Sequence, residues 1–169
     1  PTVRVFIESF APPPHMVILG AVDFTSALAR AAKLLGYRVS VCDARTVFAT
    51  ARRCPMADDI MVAWPDEVFA RYGTQLGARD AVCILTHDPK FDVPAIQGAL
   101  ATNVGYIGVM GSRKTHAKRM ERLADRLGEG EMGLPLRRVA AFEMVVEDAA
   151  DAARLVPMLE KEVFVAPGL

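Results

Sequence analysis

The sequence predicts an α/β protein built on a doubly wound, mostly parallel sheet. Two observations carry that expectation. Short apolar runs of strand length alternate with runs of helical spacing from Met16 to Leu127, a succession that demands right-handed crossovers and a sheet covered on both faces. The strand-like runs are almost wholly apolar, as buried parallel strands are, rather than alternating as one-sided strands do.

In chain order, "VRVFIE" (Val3 to Glu8) alternates like a strand and "APPP" breaks it. "MVILG" (Met16 to Gly20) is a short buried strand. Phe24, Ala27, Leu28, Ala31, Leu34 and Leu35 recur at helical spacing, and Gly36 closes that helix as a C-cap. Arg38 to Ala44, Asp59 to Ala63, Asp80 to Thr86 and Val104 to Met110 read as further strands. A short helix follows Pro65. Another is expected from about Asp92 to Thr102, with Pro94 in its first turn, where proline is tolerated. Ser112 to Leu127 forms a long polar helix with Met120, Leu123 and Leu127 inward and Arg119 and Arg122 on a solvated face. The pattern is Rossmann-like. It assigns residues 1–127 to one Rossmann-like domain with a core from about 16. Residues 128–169 form a divergent strand/helix appendage, opened by a "GEGEMGLPL" linker and interrupted at Pro157.

Composition narrows the function classes. A chain of 169 residues that is 52% hydrophobic can bury a sizeable core. Its 20 Lys and Arg balance 20 Asp and Glu, so no basic excess points to nucleic acid, and no apolar run reaches membrane-spanning length. Cys42, Cys54 and Cys83 are odd in number and widely spaced, which speaks against a disulfide framework and a CxxC zinc site and for a reducing cytoplasm. Cys42 and Cys83 read as core residues. Cys54 follows Arg52 and Arg53, whose charge could activate its thiol. The chain opens on Pro1 rather than methionine, as a piece of a longer protein would.

Three turns carry the polar detail. At the first, the dinucleotide-binding fingerprint would place glycines at Gly20, Val22 and Thr25, and only Gly20 is one. Asp23 adds a carboxylate where a helix N-terminus would attract a phosphate. Asp43, ending the next strand, stands where an acidic residue binds ribose hydroxyls, and Arg45 could answer a 2′-phosphate. NAD(P) binding and a pure scaffold are both open at this turn. At the second, Thr86, His87 and Asp88 follow a strand that a 3-2-1-4-5 order sets beside the Gly20 strand. There His87 could be a general acid or base, a metal ligand, a hydrogen-bond donor or a loop staple, and Lys90 an anion-steering or a solvated lysine. At the third, Gly108 and Gly111 permit a sharp turn and Ser112 can cap the helix that follows. Arg113, Lys114 and His116 bring positive charge to its exposed amides, an anion or phosphate site. Cations there oppose the helix dipole, which favours a functional reason for them.

The stretches "GAVDFTSALARAAKLLGYRVSVCDAR", "LTHDPKFDVPAI" and "YIGVMGSRKTHAKRMERL" closely resemble the Rossmann domain of XdhC/CoxI-type accessory proteins, from about Phe10 to Arg126. The resemblance implies a role in maturing xanthine dehydrogenase and related molybdenum hydroxylases: binding molybdenum cofactor, protecting it during sulfuration and handing it to the target enzyme. It implies a xanthine dehydrogenase-type molybdoenzyme as partner, and a homodimer, since such proteins are often dimeric. The cofactor is a pterin bearing a phosphate, which suits the anion site at Gly111, Ser112, Arg113, Lys114 and His116. Gly20, Asp43, Thr86 and His87 complete the expected cofactor-binding set. His87 and Asp88 are the candidates for contact with the pterin or the metal-bound group, and no direct metal ligand is assigned. Family members carry a further N-terminal domain, often a second glycine where Val22 stands, and a "PIGLDIG"-like segment where this chain has "LPLRRVAAF". Two rivals stand beside this reading: an NAD(P)-dependent oxidoreductase, and a non-catalytic module that docks on a molybdoenzyme through its tail.

Overall fold

The structure, a computed structural model, describes Arg4, Phe6, Glu8 and residues 10–112, 115, 117–119, 121–123 and 139–142. Its strands are β1 (His15–Leu19), β2 (Arg38–Asp43), β3 (Asp59–Val62), β4 (Ala81–Ile84), β5 (Tyr106–Met110) and β6 (Val139–Phe142). They form one six-stranded sheet in the order β3-β2-β1-β4-β5-β6, parallel throughout. Helices α1 (Asp23–Leu34), α2 (Pro65–Tyr72) and α3 (Pro89–Leu100) make the crossovers, and residues 115, 117–119 and 121–123 are helical beyond β5. The doubly wound, Rossmann-like fold is therefore present. Part of the segment expected as an appendage, Val139–Phe142, lies in the same sheet beside β5.

Alternation along each central strand divides the core in two. Val17 and Leu19 face α2, α3 and Leu123, whereas Met16 and Ile18 face α1 and the β2–β3 connection around Cys54. Val17, Ile18, Leu19, Val41, Ile84 and Ile107 are all fully buried. Each side chain of that size contributes about 1.5–3 kcal/mol on leaving water, so the strand core dominates stability. At the end of α1, Gly36 takes a φ of 81°, and Tyr37 N–H bonds back to the Ala32 carbonyl at 2.9 Å. A left-handed glycine is the usual way to satisfy the last helical carbonyls.

Two elements differ from expectation. Arg4, Phe6 and Glu8 are exposed and lie outside any strand; Phe6, 88% exposed, is not buried by the alternation that suggested one. α3 begins at Pro89, not near Asp92. Asp88 is its N-cap, with Oδ1 accepting the Lys90 N–H at 2.9 Å, and Pro89 takes the first helical position. Pro94 consequently falls inside the helix. Its missing N–H forfeits the bond to the Lys90 carbonyl, a cost the flanking packing of Phe91, Val93, Ala95 and Ile96 absorbs. The expected inward Leu123 is fully buried, while Met120, Leu127 and the Pro157 interruption lie outside the described residues.

At the amino edge of the sheet, His15 sits in a polar network. Its Nε2 shares a 2.8 Å hydrogen bond with Ser40 Oγ, its backbone N–H donates to Asp80 Oδ1 at 2.7 Å, and its ring packs edge-on against Tyr72. Burial, assisted by the charge of Arg38, lowers the His15 pKa below its ordinary 6.5. The folded state thus favours neutral imidazole. That contribution is complete above pH 6.5 and is lost as pH falls through the lowered folded value. The urea midpoint is expected to drop between about pH 7 and pH 5, and His15→Gln, which cannot take up a proton there, should flatten part of that drop.

Candidate functional site

The chain runs outward from β1 to β3 and then returns across the sheet to β4, so β1 and β4 part company at their carboxyl ends. Ligands of open α/β sheets bind at such a switch point. Register sets the edge: Leu19 is level with Cys42 and with Ile84, and Ile84 with Val109. Gly20, Asp43, Thr86 and Gly111 therefore emerge along one rim.

The turn after β1 is closed upon itself. Gly20, at φ 106°, donates its N–H to the Cys42 carbonyl at 2.7 Å. Ala21 N–H donates to Asp43 Oδ2 at 2.8 Å, and Val22 N–H to Thr25 Oγ1 at 3.1 Å. The Thr25 hydroxyl in turn donates to the Gly20 carbonyl at 2.5 Å. The Gly20, Ala21 and Val22 amides thus all have partners inside the protein. Gly20 is also packed closely, since a Cβ there would lie 2.6 Å from the Thr86 methyl. Thr25, the position of the third fingerprint glycine, is thus a buried polar staple.

Asp43 is also engaged. Besides Ala21, it accepts from Arg45 N–H and Nε on Oδ1, each at 2.9 Å, and from Arg45 Nη2 on Oδ2 at 2.9 Å. Burial pushes this carboxyl up, but the bonds from Arg45 and Ala21 outweigh it and hold the pKa below the usual range. Arg45 lies over the Phe48 ring, which Arg53 also approaches, and Arg53 pairs with the exposed Asp23 at 3.0 Å. Asp23 and Arg45 are therefore parts of one surface network.

Beyond β4 the side chains divide. The Thr86 hydroxyl donates to Asp92 Oδ1. Asp92 Oδ2 accepts from Arg119 Nη2 at 2.9 Å, and Nη2 also reaches the Met110 carbonyl at 3.2 Å. Thr86, Asp92 and Arg119 are all buried, and this chain of contacts ties the ends of β4 and β5 to α3 and the helix after β5. Burial raises the Asp92 pKa against the pull of Thr86 and Arg119. His87, Asp88 and Lys90 remain exposed. His87 has no hydrogen-bond partner among the described residues, and Asp88 is engaged as the α3 cap. At the third turn Gly111 has a φ of 154°, and Ser112 Oγ accepts the Thr115 N–H at 3.3 Å, the geometry of an N-cap. Arg113, Lys114 and His116 lie outside the described residues.

The structure thus brings Gly20, Thr86 and Asp43 together, and sets His87 and Asp88 on an exposed loop of the same rim. Sequence reasoning missed Asp92 and misplaced Arg119. Arg119 is 3% exposed rather than solvated, because it stands four residues before the inward Leu123 and so on the same helix face; that spacing was a readable signal. Arg122 is exposed, as expected. Cys54 takes the inert of its two readings. Although it follows two arginines, it is 2% exposed, and burial pushes its thiol up more than Arg53 pulls it down. Cys42 and Cys83 are core residues whose thiols burial pushes up to about 12. Among the described residues no three His, Cys, Asp or Glu side chains gather to hold a metal ion, and no helix is long and apolar enough to cross a membrane.

Comparison with known proteins agrees with this architecture. A family model described as the XdhC Rossmann domain matches residues 16–141. A probable xanthine dehydrogenase subunit from Bacillus subtilis (strain 168) is 31% identical over 122 residues, covering 72% of this chain and 35% of that protein. A crystal structure described as a xanthine dehydrogenase from Bacillus halodurans superposes with a TM-score of 0.68 at 20% identity, covering 94% of this chain and 45% of that one. The chain spans less than half the length of either relative.

Proposed function

The chain belongs to the XdhC Rossmann-domain family, and from that premise we propose that it is an accessory domain for a xanthine dehydrogenase-type molybdenum hydroxylase, holding molybdenum cofactor as cargo and passing it to the enzyme. The observation that carries this reading is the unequal state of the rim. In the β1 turn the Gly20, Ala21 and Val22 amides are taken up by the protein itself. The turn after β5 instead leads from Gly111 and the capping Ser112 into a stretch of sequence that carries Arg113, Lys114 and His116. A phosphate is best received at the second of these places, where the sequence brings cations next to a capped helix start. The pterin then extends toward the exposed loop of His87 and Asp88, which are suited to hydrogen-bond a polar heterocycle. These residues bind and orient; the redox chemistry of the cargo begins only in the recipient enzyme.

Removing both cations tests the assignment. In calorimetry with molybdopterin, Arg113→Ala/Lys114→Ala is expected to bind at least about tenfold more weakly than the parent, since a charge-assisted hydrogen bond contributes roughly 1.5–3 kcal/mol. An unchanged affinity would reject the site. The oxidoreductase reading requires Asp43 to meet ribose hydroxyls, and here both of its oxygens are engaged within the protein. NADH fluorescence is accordingly expected to be unaltered by the chain.

A further inference from the structure

We propose that the connection between β2 and β3, residues 44–58, is the surface through which this domain docks on an acidic face of the recipient molybdenum hydroxylase. The inference rests on the accessory reading above and names the partner-facing side of the same rim. Parallel neighbours are usually joined through a helix, whereas this crossover contains turns but neither helix nor strand. In a compact domain an irregular connection longer than about 12 residues is uncommon and usually has a functional use. Backbone bonds fold the segment upon itself. Ala49 N–H donates to the Arg45 carbonyl at 3.2 Å, Cys54 N–H to Thr50 at 3.0 Å and Ala57 N–H to Cys54 at 3.1 Å. Ala49 and Cys54 are buried beneath it. A surface held in this way loses little freedom when a partner arrives.

Its composition is that of an interface. Ala44 to Ala57 carries three arginines, a phenylalanine and a methionine and no Asp, Glu or Lys, in a chain whose charges balance overall. Protein interfaces are enriched in Arg, Met and aromatic residues and depleted of Lys, Glu and Asp. Val47 is 71% exposed and Met56 42%. The Phe48 ring has Arg45 at 4.1 Å and Arg53 at 5.0 Å from its centroid. Buried Asp43 answers Arg45, and Asp23 answers Arg53 in an exposed pair that water weakens. Arg52 is exposed and has no carboxylate partner among the described residues. An unanswered positive charge beside exposed apolar groups complements a partly apolar protein surface that carries carboxylates. Position selects the occupant. The segment leaves β2 at the carboxyl rim, where Arg45 holds Asp43, and Arg53 reaches the first turn of α1. An enzyme that takes cargo from that rim meets this face.

The test measures association of the full chain with a purified, cofactor-free xanthine dehydrogenase-type hydroxylase by biolayer interferometry, at about 50 and about 300 mM salt. Calorimetry with molybdopterin runs beside it. Val47→Ser/Arg52→Glu changes two exposed positions. It is expected to bind the enzyme at least about tenfold more weakly than the parent and to lose most of the parent's salt dependence. Its molybdopterin affinity and urea midpoint are expected to match the parent's. If the midpoint falls, Arg52→Ala alone decides, with an expected weakening of about fivefold. A parent that does not associate with the enzyme, or a variant within about twofold of it, overturns the inference. So does a variant that keeps the enzyme but loses an oligonucleotide bound by the parent, or a parent dimer seen in sedimentation. Molybdopterin binding with no role for the loop in enzyme capture removes this inference and leaves the cofactor-handling one. Enzyme capture through the loop without molybdopterin binding does the reverse.

Discussion

Asp92→Ala is expected to destabilise the protein by about 3–5 kcal/mol, the range for removing one partner of a buried ion pair. Asp92 and Arg119 are 3% and 4% exposed at their side chains and 2.9 Å apart. Without the carboxylate, Arg119 keeps its charge in the interior with, among the described residues, only the Met110 carbonyl to accept from it, and the Thr86 hydroxyl loses its acceptor. The ion pair itself is not the source of stability, since desolvation offsets most of its attraction. The triple variant Thr86→Val/Asp92→Leu/Arg119→Met, which removes all three polar groups together, should therefore recover most of the loss. Urea unfolding of the parent, single and triple variants distinguishes the cases. A single variant within about 1 kcal/mol of the parent would show that the network contributes little.

Gly20→Ala is the second large effect, at about 2–6 kcal/mol from a backbone cost and a packing cost. A non-glycine residue held at positive φ costs roughly 1–3 kcal/mol, and Gly20 sits at 106°. The new Cβ would also stand 2.6 Å from the Thr86 methyl and 3.3 Å from the Thr86 nitrogen, an overpacking of roughly 1–3 kcal/mol. Thr86 has little freedom to turn away, because its hydroxyl is held by buried Asp92. Adding Thr86→Ser removes the methyl and should return the packing part of the loss while leaving the backbone part. If Gly20→Ala unfolds at the parent's urea concentration, the close approach of β1 and β4 is not what requires a glycine there.

Much of the rim could be read in advance because its logic is local. Gly20, Thr86 and Gly111 each follow an apolar run of strand length, and the ends of parallel strands share one edge whatever the loops do. Asp88-Pro89 was just as local a signal, a capping residue before a first-turn proline, yet Pro94 drew the predicted start of α3 too far along. The fate of Cys54 was not local: two arginines precede it, and only the packing of the β2–β3 connection against Ile18 and its neighbours removes it from water.

The sequence by itself determined the α/β class, the strand order on the β1–β4 side and the rim on which polar residues collect, because hydrophobic periodicity and turn residues act within a few positions of themselves. Tertiary structure alone decided which of those residues are committed to the fold. Asp43 closes on Ala21 and Arg45, Thr86 on Asp92, and Asp92 on Arg119 across 27 residues. Whether a carboxylate or a guanidinium faces a ligand or an internal partner depends on what the folded chain places within about 3 Å of it, and residue type and spacing carry no measure of that distance.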